Sequence, residues 1–157
     1  MLLPIQVPKL ARFLHSVQRL HWRFARPTTV GVRLLAVKEG AVLLVKHTYL
    51  DGWYLPGGGV QAGETLRDAV KREAAEEAGA GLQDLRLFGV YSSFFEGKSD
   101  HIVVFLSEEF SWRRVGSQEI ESVQCFAFNE LPEGTSLGTH RRIAEYTAGE
   151  RAVATSW

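Results

Sequence analysis

Apolar residues recur along this chain with two periods. Over residues 9–25, Leu10, Phe13, Leu14, Val17, Leu20 and Phe24 are spaced by three or four, the stripe of an amphipathic helix. Arg12, His15, Arg19 and Arg23 take its other side, and Pro27 disfavours helix at the residue before it. β-Branched runs follow: "VGVRLLAV" (30–37) and "AVLLVKH" (41–47), joined by "KEG", predict a hairpin. Later strands are predicted at 85–95, 101–110 and 120–128, then a turn at "NELPEG" (129–134). A closing helix is predicted at 139–148, with Ile143 and Tyr146 inward. Between hairpin and later strands, "WYLPGGGVQAG" (53–63) is a glycine-rich loop. Residues 65–78 make a helix, capped by Thr65 with Asp68 three residues on, and closed by Gly79. Strands interleaved with few helices predict an α+β fold or a mixed sheet rather than a regular βαβ series.

Helix 65–78 breaks its own pattern. On a wheel, Leu66, Ala69, Val70 and Ala74 define the apolar arc, and Glu73 and Glu77 fall in the middle of it. Glu76 lies at its edge, while Arg67, Asp68, Lys71 and Ala75 take the opposite side. Solvated charges avoid a core-facing arc, and unpaired buried carboxylates are costly. Three compensations fit. One is pairing with Arg72 and nearby bases, and another is protonation of the carboxylates. The third is a hard divalent ion such as Mg²⁺, which takes oxygen ligands and shares them with substrate phosphates.

Composition narrows the setting. The chain has 157 residues, about 45% apolar and 23% charged, with zero formal net charge. That suits one domain and gives no global argument for nucleic acid. The single cysteine, Cys125, fits a reducing compartment and, within an apolar strand, reads as a buried small hydrophobe. With no membrane-length apolar run and with Pro4 and Pro8 interrupting the start, a cytoplasmic location is expected. The first acid is Glu39, so the N-terminal helix is basic. It is expected to pack on the domain or form a homodimer interface. Contact with an anionic membrane through residues 9–25 and an organellar transit segment are the alternatives.

The glycine loop makes two near-misses. Gly58-x4-Gly63-Glu64-Thr65 has phosphate-loop spacing with Glu64 in place of the lysine, and Gly57-x-Gly59-x-x-Ala62 only loosely mimics a dinucleotide fingerprint. Read together, loop and helix match one pattern. Gly58, five residues, Glu64, seven residues, then "REAAEEAGA" from Arg72 resembles the Nudix box, G-x5-E-x7-R-E-U-x-E-E-x-G-U, where U is a bulky aliphatic. Gly58, Glu64, Arg72, Glu73, Glu76, Glu77 and Gly79 fill all seven fixed positions. Ala74 and Ala80 stand at the two U positions.

The resemblance covers roughly residues 28–148, leaving 1–26 as a basic helix ahead of a domain over 27–157. It implies the Nudix fold, a mixed β-sheet sandwiched between helices (α/β/α). It also implies metal-dependent hydrolysis of a nucleoside diphosphate linked to a group X. By motif position, Glu73, Glu76, Glu77 and the carbonyl of Gly57 hold Mg²⁺, with Mn²⁺ as a substitute. Arg72 orients Glu73, and Glu64 supports the ligands or binds a further ion. The loop glycines Gly58 and Gly59 approach the substrate closely. The base is a box glutamate or one outside it, where Glu119 comes first, then Glu96 and Glu121. Arg33 and Lys46 interrupt apolar strands and either reach phosphates or face solvent. His47, Tyr49 and Phe95 are candidates to line the pocket. Trp53 is expected to pack the loop, and His101 has no ligand partner in view. A non-catalytic nucleotide-binding module on the same fold is the alternative function.

Overall fold

The computed structural model describes residues 28–95, 98–114, 116–151 and 153–157. The N-terminal helix expected at 9–25 and Glu96 lie outside the described residues, as does the side chain of Phe95.

The hairpin forms where the pattern places it. Strand β1 (Thr28–Lys38) turns into β2 (Ala41–His47) through Glu39 and Gly40, both with positive φ (51° and 75°). Two such residues suit the tight hairpin turn, whose twist matches that of the strands. Helix α1 (Leu66–Ala78) follows, then β3 (Gly81–Leu82), β4 (Arg86–Phe95), β5 (Lys98–Ser107), β6 (Phe110–Ser111) and β7 (Ile120–Ala127). Helix α2 (Leu137–Thr147) and β8 (Val153–Ser156) close the described chain. Six strands make one mixed sheet in the order β7-β2-β1-β5-β4-β8. The β1–β5 and β4–β8 pairs are parallel and the others antiparallel.

The sheet buries both faces. Val32, Leu34, Leu43, Val45, Val103 and Phe105 pack with Ala69, Val70, Ala74 and Ala78 of α1. Residues of opposite parity, including Leu35, Val37, Val42, Leu44 and Val104, pack with Ile143 and Tyr146 of α2. Each fully buried Val or Leu contributes about 1.5–3 kcal/mol relative to exposure. This is the α/β/α arrangement. Ala74 and Ala80, small where the motif has bulky residues, are 0% and 6% exposed within the α1-side core.

α1 begins and ends on the expected signals. Thr65 Oγ1 accepts from the Asp68 amide at 3.1 Å and donates to Asp68 Oδ2 at 2.6 Å. Gly79 adopts φ 56°, and the amides of Gly79 and Ala80 donate to Ala75 and Ala74. Leu66, expected inward, is 38% exposed, because it opens the helix beside the exposed Gly63 and Thr65, off the end of the buried stripe.

The second core carries a buried cation. Arg142 on α2 is 1% exposed, 3.7 Å above the Tyr91 ring and 5.0 Å from that of Trp157. Its Nη2 and Nε donate to the two oxygens of Glu145 at 2.6 and 2.8 Å, and the Tyr91 hydroxyl donates to Glu145 Oε2 at 2.8 Å.

Candidate active site

β1 and β2 pair through only two residue pairs, Val37–Val42 and Lys38–Ala41, and then part. The glycine loop fills the gap. Val32 N donates to Gly58 O, Leu34 N to Pro56 O and Val60 N to Val30 O on one side. Val45 and Tyr54 exchange amide–carbonyl bonds at 2.9 Å on the other. The loop is therefore backbone-paired to both strands.

Two glycines shape the loop there. Gly57 has φ 143°, and a Cβ on it would stand 2.1 Å from the Val32 carbonyl oxygen. A Cβ on Gly58 would stand 2.5 Å from Glu73 Oε1. These absences of side chain let α1's carboxylates reach the loop.

The box glutamates divide into two groups. Arg72 gathers one: Nε and Nη2 donate to the two oxygens of Glu64 at 2.8 and 2.9 Å, and Nη1 donates to Glu73 Oε1 at 2.8 Å and Glu76 Oε2 at 3.3 Å. Nη2 also donates to the Gly59 carbonyl at 3.1 Å, tying the loop in. The Arg72 bonds, with a bond from the Gln61 amide, hold Glu64 down at a pKa of about 2. Arg72 is itself pushed above its ordinary value by Glu64 and Glu73. The pairing alternative for the glutamates is thus realised at Glu64, Glu73 and Glu76.

Glu77 stands apart. Its side chain is 11% exposed, its Oε2 accepts from the Gly57 amide at 2.8 Å, and its Oε1 is 3.8 Å from His47 Nε2. Burial raises its pKa to about 7 against the opposing Gly57 bond and the Arg33 charge; Glu73 and Glu119 add to the rise. His47 gives it no countercharge, because burial and Arg33 lower that pKa to about 4. The imidazole is neutral at pH 7, with Nδ1 buried and without a hydrogen-bond partner.

The outlying candidates separate. Arg33 acts electrostatically on Glu77, His47 and Tyr49. Glu119 acts on Glu77 and Tyr49, and its carbonyl anchors Thr48 through the amide at 2.9 Å. Lys46 pairs with Glu121 at 2.9 Å on the surface, which occupies both. The His47 and Tyr49 rings meet at a 45° tilt with centroids 5.2 Å apart. Trp53 packs edge-on to Phe126 at 4.8 Å, fixing the loop's entry. His101 Nδ1 pairs with Ser92 Oγ across β4 and β5. Cys125 is half-buried rather than buried, with its thiol pushed up by desolvation.

As the side chains lie, no three His, Cys, Asp or Glu residues among those described are gathered closely enough to hold a metal ion, since Glu73 and Glu76 turn to Arg72. The donors nonetheless suit a hard cation. They are carboxylate oxygens on one helix face, with a buried member whose ionisation is opposed by its burial.

A NUDIX domain model matches residues 25–146. The chain belongs to the Nudix family. An ADP-ribose pyrophosphatase of Methanocaldococcus jannaschii is 31% identical over 109 residues, 66% of this chain and 64% of that protein. A NAD-capped RNA hydrolase NudC of Vibrio parahaemolyticus is 33% identical over 72% of this chain and 44% of its own length. The chain thus spans less than two thirds of either relative. A MutT NUDIX hydrolase from Burkholderia pseudomallei superposes with a TM-score of 0.67 at 30% identity, covering 74% of this chain and 96% of that one. A Bacillus halodurans MutT protein superposes at 0.68 and 26% identity, over 81% and 88%. Among the described residues no helix is long and apolar enough to cross a membrane.

Proposed function

We propose that this Nudix chain hydrolyses the diphosphate linkage of a nucleoside diphosphate derivative, releasing a nucleoside monophosphate and a phosphorylated X. The observation that carries this reading is Glu77: a buried carboxylate pinned by the Gly57 amide, its ionisation opposed by burial, on the helix that presents Glu73 and Glu76. Glu73, Glu76, Glu77 and the Gly57 carbonyl would hold Mg²⁺, or Mn²⁺ in its place. When bound, such an ion offsets the charge of the diphosphate and acidifies water.

The protein's own groups do the rest. Arg72 holds Glu73 and Glu64 in fixed orientation through charge-assisted bonds. The backbone-paired loop sets Gly58 and Gly59 against the substrate without side-chain bulk. Arg33 supplies positive charge beside Glu77. Water attacks one phosphorus, its oxygen forming the new P–O bond as the bridging P–O bond breaks. A carboxylate takes the water proton. We assign that role outside the box to Glu119, whose charge reaches Glu77, whereas Glu121 is paired with Lys46.

The test is incubation with Mg²⁺ and nucleoside triphosphates, nucleotide sugars, ADP-ribose and dinucleoside polyphosphates, with detection of monophosphate. Turnover that is lost with EDTA and in Glu76→Gln and Glu77→Gln is expected. Full activity in both variants overturns the ligand assignment. Nucleotide binding by a folded chain that cleaves none of the panel favours the non-catalytic module.

A further inference from the structure

A cavity of about 640 Å³ opens beside the glycine loop, bounded toward the carboxylates by Gly58 and Gly59. Its floor is the start of β1 and β5, whose parallel register sets Thr29 against Asp100 and Gly31 against Ile102. Thr29 Oγ1 donates to Asp100 Oδ1 at 2.6 Å, and Lys98 Nζ lies 3.3 Å from Asp100 Oδ2. Lys98 and Asp100 each keep 21% side-chain exposure, so the pair is held yet reachable from the cavity.

The chemistry of this pair is selective. An ionised carboxylate has about four acceptor sites, so Asp100 retains acceptor capacity after meeting Thr29 and Lys98, which hold it in place. Sugar hydroxyls donate to such a fixed carboxylate. The same carboxylate repels phosphate. Arg33 also lines the cavity, and its charge is felt at Glu77, so positive charge lies between the two regions. None of the described residues lining the cavity is aromatic.

The geometry points to a sugar subsite: the cavity receives a hydroxylated ring joined to the diphosphate, and Asp100 with Lys98 selects nucleoside diphosphate sugars over triphosphates and dinucleoside polyphosphates. This rests on the hydrolase reading for where the diphosphate lies.

The test is equilibrium binding, which needs no turnover. ADP-ribose and UDP-glucose are compared with ADP and UDP, with Ca²⁺ in place of Mg²⁺, on the full chain. At least one sugar-linked ligand is expected to bind about tenfold tighter than its parent diphosphate, as a hydrogen bond to a charged group provides. Asp100→Asn and Lys98→Met, each checked for folding by circular dichroism, should each bring that ratio close to one. Equal binding of sugar-linked and parent ligands, no binding of any, or a ratio unchanged in both folded variants overturns the subsite. Failure of the hydrolase reading shows separately, as a sugar preference in binding with no turnover in Mg²⁺.

Discussion

The Gly57 amide donates to Glu77 Oε2 at 2.8 Å, joining the middle of the glycine loop to the last turn of α1. A glutamine at position 77 can keep this bond through its amide oxygen while losing the charge. Glu77→Gln is therefore expected to fold with stability within about 1 kcal/mol of the parent. Its turnover should fall by roughly 10²-fold or more. Urea unfolding beside steady-state kinetics separates the two effects. A large loss of stability with normal kcat would make Glu77 a structural residue.

Glu77 and His47 titrate against each other. Glu77 is raised from 4.5 to about 7, so the folded chain binds its proton more tightly, and its contribution to stability falls as pH rises through that window. His47 is lowered from 6.5 to about 4, so its contribution rises as pH rises from 4 to 6.5. The two slopes oppose one another between 4.5 and 6.5. In EDTA, His47→Gln should expose the Glu77 slope, losing up to about 3 kcal/mol relative to the parent over that interval. Glu77→Gln should show the reverse slope. Urea midpoints at the two ends of the interval give the answer; parallel profiles for all three proteins would refute the coupling.

Gly57 and Gly58 should fail differently when replaced by alanine. At Gly57 the new Cβ meets β1 backbone and the φ of 143° is unfavourable, so Gly57→Ala should cost about 2–4 kcal/mol of stability. At Gly58 the Cβ first meets the Glu73 carboxylate, which can turn away. Gly58→Ala should unfold within about 1 kcal/mol of the parent yet lose about tenfold or more in kcat. Matching stability losses for the two variants would contradict this division.

Arg72 should not be replaceable by lysine. Its planar fork spans Glu64, Glu73, Glu76 and the Gly59 carbonyl, which a single ammonium does not reproduce. Arg72→Lys should reduce kcat/KM by about 10–100-fold and raise the Mg²⁺ concentration needed for half-maximal rate. Unchanged metal dependence would sink the orienting role.

Arg142 lies in the second core, away from this chemistry. Arg142→Ala removes the buried cation from between Tyr91, Trp157 and the half-buried Glu145, and should cost about 3–5 kcal/mol. The kcat of the folded fraction should be unchanged, as measured below the lowered melting point.

Sequence pattern captured what local chemistry determines. Thr65 and Gly79 mark the ends of α1 because capping is decided within a few residues, and the wheel put Glu73 and Glu77 on the sheet side because helical period is local. Leu66 escaped the wheel, which knows angle but not where a helix overhangs its sheet. The two-residue strands β3 and β6 carry too few residues for a period, and β8 was overlooked at the close of the chain. Pairing across distance was the larger omission. Thr29 and Asp100 are 71 residues apart and meet only through the parallel β1–β5 register. Arg142 carries no local signal of burial, since the rings of Tyr91 and Trp157 that cover it lie elsewhere in the chain.

The parted hairpin has a consequence for how this scaffold can change. Because the loop carrying Gly57 and Gly58 is stitched to strands on both flanks, the carboxylate-facing half of the pocket is set by main chain. On the β1 flank the bonds to the loop run through Val30, Val32 and Leu34, and the cavity-facing Thr29, Lys98 and Asp100 make none of them. Cargo preference can therefore be rewritten at those positions while the bond-breaking machinery stays where it is.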